Sequence, residues 1–328
     1  MGRYPTVFLE SLYGEDKVHQ VRGDGGGDWV APGHGMDDCP PSPGQPLFNN
    51  CYRVYLLDLL ARSATSLGRT KEAEGYRAKI NDLRSRIHDG FWNKQSQNYE
   101  DVQSAQAFPL LTGVVPDALR GTVQKKLEDL ILVKNKGHLD TGMLGTYFLF
   151  QYLQEVGRND LAYTIANQKD YPGWGYMLSQ GATTFWEQWN GYWSQIHSCF
   201  TSPSGWFYQG LAGIRPDEAG PGFKKIIIKP GVVGDLTWVK CSYDSIHGRI
   251  VSNWKREGQK LTMEVAIPAN TTATVQVPAK DAAGVTESGK PVAQADGVKF
   301  LHMENGAATY EVGSGIYRFQ STMPETIK

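Results

Sequence analysis

Apolar residues follow two different periods along this chain. From about Leu47 to Leu211 they recur every three to four positions, the repeat of one helix face. Residues 48–69 place Tyr52, Tyr55, Leu56, Leu59 and Leu60 on one stripe that stops at Gly68, and residues 71–92 repeat the pattern up to Gly90. Residues 115–135 open with Pro116 near the first turn, where a missing N–H costs no hydrogen bond. Residues 140–160 offer Asp140 as an N-cap and Gly157 as a stop. Shorter helices are expected over 104–111, 160–168, 184–192 and 204–211. Helices in antiparallel pairs with short Gly-, Pro- and His-containing loops point to an α-solenoid or an α/α toroid.

After Gly213 the repeat changes. Residues 224–230, 236–245, 248–258, 260–268, 271–278, 298–304, 308–313 and 315–321 are short β-branched and aromatic runs with turn residues between them. This spacing predicts an antiparallel β-sandwich. The boundary lies in 216–223, PDEAGPGF, giving a helical domain over 1–215 and a β domain over 216–328. The β half carries no catalytic-looking set of carboxylates, so it reads as a structural cap, with a sugar-binding module as the sharper alternative.

Composition narrows the partners. The 328 residues are 40% apolar and 20% charged with a formal net charge of −1, an ordinary globular balance. That charge makes no case for nucleic acid or an anionic membrane. The longest apolar runs, such as Leu56–Ala61, are far too short to span a bilayer. The opening MGRYPTVFLE lacks the basic and apolar regions of a secretory signal, which leaves the cytoplasm as the default compartment. Cys39, Cys51, Cys199 and Cys241 show no metal-finger spacing and read as free thiols. No HExxH or carboxylate loop indicates a metal, and the glycines of 23–27 lack a phosphate-binding frame, so no cofactor is expected.

Chemistry concentrates in 171–193, YPGWGYMLSQGATTFWEQWNGYW, which holds Trp174, Trp186, Trp189 and Trp193 around a single carboxylate, Glu187. On the expected helix, Trp186, Trp189 and Trp193 share a face and Glu187 projects beside it. Aromatic surfaces exclude water, and desolvation raises a carboxyl pKa toward values useful for proton transfer. Flat rings beside a carboxylate suit a ligand with apolar C–H faces and many hydroxyls, which is a sugar. A buried aromatic seam with Glu187 at its solvated edge fits the same residues.

Several segments in order resemble the bacterial α-L-rhamnosidase family of inverting glycoside hydrolases: GDWVAPG (27–33), GHLDTGMLGT (137–146), YPGWGYMLSQGATTFWEQW (171–189), SQIH (194–197), GWFYQGLAGIRPDEAGPGFKKIIIKP (205–230) and IPANTTATVQVP (267–278). The resemblance implies a mainly α, (α/α)6-barrel-type domain followed by a C-terminal antiparallel β-sandwich, acting on a rhamnose-containing glycoside or polysaccharide. It implies Glu187 as the general base. Trp29 should wall the sugar pocket, and Asp28 either hydrogen-bonds sugar hydroxyls, caps a helix or braces the glycine-rich loop. His197 matches a histidine that reaches the sugar, although Ile196 stands where the family has Asn. Trp174 and Trp189 are stacking surfaces or core residues, while His138 and Asp140 organise a loop.

The family's general acid lies in an upstream motif, D-C-P-x-R-x-E-R-x-G-W, which this sequence lacks; Asp38-Cys39-Pro40 matches for three residues only. About eight helices are legible where an (α/α)6 barrel has twelve, so the chain reads as the C-terminal part of such a protein, its barrel incomplete at the N-terminus. An open toroid exposes apolar helix faces and favours oligomerisation. Asp24, Asp28, Asp37 and Asp38 are the available substitute acids. Two alternatives stand beside the hydrolase reading. One is an inactive rhamnose-binding relative; the other is a different (α/α)6 glycosidase or polysaccharide lyase.

Overall fold

The computed structural model describes residues 27–33 and 44–325. They form two compact units, one of residues up to 153 together with 164–201, the other of 154–163 and 202 onward. The chain runs as a helical domain followed by a β domain. The boundary expected at 215–216 falls inside the first strand, Ile214–Pro216, and the second unit already takes in the segment from 202.

The helices are α1 (Gln45–Ser66), α2 (Thr70–Phe91), α3 (Ser104–Thr112), α4 (Asp117–Asp129), α5 (Met143–Glu155), α6 (Asn159–Ala166), α7 (Trp174–Ser179) and α8 (Ser202–Trp206). Five-residue π turns extend α4 over Leu130–Lys134 and α8 over Phe207–Leu211. Gly68 ends α1 in a left-handed conformation (φ 69°) that glycine adopts without steric cost. Pro116 sits just before α4, where it interrupts no helical bond.

The buried face of α1 differs from the expected stripe. Leu47, Phe48, Cys51, Val54, Leu57, Ala61 and Ala64 are buried, whereas Leu59 is exposed and Tyr52, Tyr55, Leu56 and Leu60 are half-buried. This helix is apolar on more than one side, so periodicity alone could not select the face that meets α2 and α3. Phe48, Phe108 and Phe148 join α1, α3 and α5, the last two rings stacked at 3.9 Å and 12°. None of the described helices is long and apolar enough to cross a membrane.

The segment 184–192 is not a helix. Its backbone bonds run from Glu187 N–H to Ser194 C=O (2.8 Å) and from His197 N–H to Phe185 C=O (3.0 Å), tying two limbs of a loop together. Positive φ at Gly191 (79°) and Trp193 (65°) turns the chain back. Local spacing suggested one tryptophan face; the loop instead buries Trp186 and Trp189 and leaves Trp193 exposed.

Among the described residues of the second unit, twelve strands form two sheets. The five-stranded sheet is ordered β1 (Ile214–Pro216), β2 (Lys225–Ile228), β7 (Thr272–Pro278), β11 (Ala307–Val312), β10 (Val298–Glu304). The seven-stranded sheet is ordered β3 (Trp238–Val239), β5 (Gly248–Glu257), β6 (Lys260–Ile267), β12 (Gly315–Thr322), β8 (Thr286–Glu287), β9 (Lys290–Pro291), with β4 (Ser242–Ser245) also on β5. Ile228, Val275, Val277 and Tyr310 of one sheet and Trp254, Met263, Val265 and Phe319 of the other share one buried core. Alternation along β6, where Leu261, Met263, Val265 and Ile267 are buried, is the pattern read from the sequence. The pairings are antiparallel except β2 with β7, which run parallel. Between those two strands the chain visits the other sheet and re-enters beside β2 in the same direction, as a crossover permits.

Candidate active site

The helix N-terminus of α5 organises the site. Its first N–H groups have no partner within the helix and attract negative charge. Asp28 supplies it from far along the chain: its buried carboxylate accepts the N–H of Gly142 at 2.7 Å and of Gly145 at 2.6 Å. The neighbouring Trp29 carbonyl accepts the N–H of Met143 at 2.8 Å. Such close approach requires glycine. A Cβ on Gly142 would lie 2.1 Å from the Trp29 carbonyl oxygen, and one on Gly145 would lie 1.9 Å from Asp28 Oδ2. Burial pushes the Asp28 carboxyl up to about 7; the Gly145 and Gly142 N–H groups and Ser104 pull the other way.

Asp28, and not Asp140, is therefore the residue at the head of α5. Asp140 accepts the Gln103 N–H at 2.9 Å and the Asn135 side-chain amide at 2.8 Å, bracing the preceding loop. His138 bridges Asp170, at 2.9 Å, and the Asn135 carbonyl, at 3.0 Å, in the same loop. Both oxygens of Asp28 accept backbone N–H groups at the start of α5, the helix-capping arrangement among the three expected of this residue. Asp24, Asp37 and Asp38 lie outside the described residues.

The brace presents Trp29. Its ring stacks with that of Trp193 at 6.3 Å and 18°, and Trp193 keeps 43% of its surface exposed. The next residue, Ser194, gives its N–H to Glu187 Oε2 at 3.3 Å while its carbonyl takes the Glu187 N–H. A half-buried carboxylate is thus fixed at both backbone and side chain beside an aromatic pair. His197 Nδ1 lies 3.0 Å from Cys199 Sγ on the same loop. Burial, and behind it the charge of Glu187, push the Cys199 thiol up to about 11.

Trp174 and Trp189 occupy a separate aromatic cluster of this unit. Trp174 donates its indole N–H to the Phe200 carbonyl at 2.9 Å and meets Trp189 edge-on at 5.2 Å. Trp189 also packs on Phe200 at 4.2 Å and is 2% exposed, so its ring supports the loop from within and offers no face for stacking. Trp186, with Tyr176, Gln180, Thr183, Asn190 and Gln195, lines a cavity of about 280 Å³ on the loop that carries Glu187.

Through its stacking on Trp193, Trp29 meets the loop that carries Glu187 and His197, and Asp28 is bound next to it at the head of α5. Sequence reasoning placed Trp193 on a helix face and gave it no pairing with Trp29; nothing local signals that contact. The glycines of DTGMLGT did carry a signal, since residues 142 and 145 at a helix start mark a place where another chain segment comes close.

Comparison with known proteins follows the same division of the chain. A family model described as the bacterial alpha-L-rhamnosidase 6 hairpin glycosidase domain matches residues 6–211. One described as the bacterial alpha-L-rhamnosidase C-terminal domain matches residues 213–291. An alpha-L-rhamnosidase of Streptomyces avermitilis is 32% identical over 307 residues, covering 90% of this chain and 28% of that protein. The solved alpha-L-rhamnosidase from Dictyoglumus thermophilum superposes with a TM-score of 0.81 at 30% identity, over 91% of this chain and 34% of that one. The Streptomyces avermitilis alpha-L-rhamnosidase complexed with L-rhamnose also gives 0.81 at 30% identity, over 96% of this chain and 30% of that one. The chain spans about a third of the length of these relatives.

Proposed function

The chain belongs to the bacterial α-L-rhamnosidase family, and on that footing we propose that it hydrolyses terminal α-L-rhamnosides of glycosides or polysaccharides with inversion. Glu187 is the general base. It takes a proton from the water whose oxygen bonds to the anomeric carbon as the bond to the leaving oxygen breaks on the opposite face. The observation that carries this reading is the placement of Glu187. Its carboxylate is held by the Ser194 N–H on a self-closed loop, next to the stacked Trp29–Trp193 pair.

The other residues take roles that follow from their surroundings. Trp29 and Trp193 wall the sugar, and Asp28 positions Trp29 through α5. His197 lines the same loop, while Trp174 and Trp189 stiffen it from behind. Inversion also calls for an acid roughly 6.5–9.5 Å across from the base, to protonate the leaving oxygen. The proposal assigns no residue of this chain to that step.

An activated aryl α-L-rhamnoside, whose leaving group needs little protonation, isolates the contribution of Glu187. The wild-type chain should release the aryl alcohol and give β-L-rhamnose first by proton NMR. Glu187→Gln should retain the fold and lose turnover by about 10²–10⁴-fold. Unchanged turnover in the variant removes Glu187 from the role. Rhamnose binding by a folded chain that never turns over replaces the hydrolase reading with that of a binding relative.

A further inference from the structure

The solvent side of the seven-stranded sheet carries an arrangement that neither the core nor the site around Glu187 uses. Outward positions on four strands line up across the register. Trp238 of β3 pairs with Lys255 of β5, Lys255 with Thr262 of β6, and Thr262 with Gln320 of β12. A second row runs beside it, Asn253 with Glu264 and Glu264 with Arg318. Four strands at the usual separation make the first row about 14 Å long. These side chains border a shallow hollow of about 550 Å³.

Trp238 begins the row on a two-residue edge strand with 59% of its surface in solvent. Leaving a ring of this size in water forgoes the burial that would stabilise it, and the next residue, Val239, already supplies the strand's contact with the core. Two ion pairs lie on the face, Lys255 with Glu257 at 2.6 Å and Arg318 with Glu264 at 3.7 Å, and Lys240 stands at its rim. Beyond these groups the hollow is bordered by the Thr262 hydroxyl and the Gln320 and Asn253 amides, the Asn253 oxygen being held by the Cys241 N–H at 3.0 Å. The core of a protein interface is depleted of charged residues and rich in apolar ones, unlike this face. One exposed aromatic plane in a field of planar donors and acceptors fits rings that are apolar above and below and hydroxylated at their edges.

We propose that this face, with Trp238 at its head, is a second carbohydrate site that holds a neutral polysaccharide chain lying across the strands. It would keep the polymer on the protein between cleavages elsewhere. The choice of a rhamnan as the probe rests on the rhamnoside reading above; the surface itself does not.

The test is native electrophoresis of the full chain through gels containing a soluble rhamnan, with dextran as the control polymer. Wild type should be retarded by the rhamnan, and added salt should change this little because a neutral polymer carries no charge to screen. Trp238→Ala should weaken the interaction at least about tenfold, equivalent to about 1.4 kcal/mol. Trp238→Phe, which keeps a ring, should retain most of it, and the paired change Thr262→Ala with Gln320→Ala should weaken it without touching the aromatic. All variants should hydrolyse the aryl rhamnoside as wild type does. Equal retardation of wild type and Trp238→Ala overturns the proposal, as does no retardation of either. Equal retardation in dextran overturns the choice of polymer. Retardation that depends on Trp238 in a chain without turnover supports this surface and sinks the catalytic reading alone.

Discussion

Replacing Gly145 by alanine should destabilise the helical unit even though alanine is the better helix former. Propensity alone favours the substitution by about 1 kcal/mol. The added Cβ, however, would lie 1.9 Å from Asp28 Oδ2, where contacts below 3.0 Å do not persist. Asp28 has little freedom to yield, since its two oxygens bond Gly142 and Gly145 at 2.7 and 2.6 Å. A retreat of Oδ2 by roughly 1.1 Å along the clash would stretch its 2.7 Å bond from the Gly142 N–H toward ~3.8 Å, beyond hydrogen-bond range. Losing one charge-assisted bond of that kind costs about 1.5–3 kcal/mol, so the net change is a loss of about 0.5–2 kcal/mol. Urea unfolding followed by far-ultraviolet circular dichroism, at about pH 8 where Asp28 is ionised, reads this directly. Hydrolysis of the aryl rhamnoside should fall as well, because the displaced loop carries Trp29. A midpoint equal to or above wild type, with the same denaturant slope, would refute the clash argument and leave propensity as the ruling effect.

Three further outcomes follow from the same geometry. Burial raises Asp28 from 3.8 to about 7, so the folded chain holds that proton more tightly than the unfolded one. Its contribution makes stability fall as pH rises from about 4 to about 7, by up to ~4 kcal/mol; Asp28→Asn should flatten this slope, and urea midpoints across that range check it. Trp193 adopts φ 65°, which costs a non-glycine residue on the order of 1 kcal/mol. Trp193→Gly should therefore melt at or above the wild-type temperature yet lose at least about tenfold in kcat/KM from the missing ring; unchanged kinetics would remove Trp193 from the site. Burial raises the thiols of Cys51, Cys199 and Cys241 alike, but Cys51 and Cys199 are buried while Cys241 is only half-buried. Iodoacetamide at mildly alkaline pH should modify Cys241 first among these three in the native protein, as peptide mass mapping would show.

Much of the fold is written in local pattern. Runs such as 260–267 alternate so cleanly that strand and buried face are fixed together, and Gly68 and Pro116 mark helix ends by backbone chemistry that acts at one residue. The segment 184–192 shows where this fails. Its tryptophan spacing fits a helix face, yet its backbone donors bond to Ser194 and its limbs to each other, contacts that spacing within the segment cannot express. The face of α1 was equally ambiguous, because a helix apolar on more than one side is resolved only by its neighbours.

By itself the sequence determined the order of helical and β regions, the concentration of tryptophans about Glu187 and the family to which these motifs belong. All of these depend on residue identity at short range or on motifs read in order. Only the tertiary structure decided which groups meet. Asp28 reaches the head of a helix 114 residues away, Trp29 stacks on Trp193, and Trp189 is withdrawn into the core. These contacts join segments whose separation along the chain is unrelated to their distance in space. They form where a buried carboxylate and unpaired helix N–H groups can satisfy one another, and that match becomes visible only once both ends are folded.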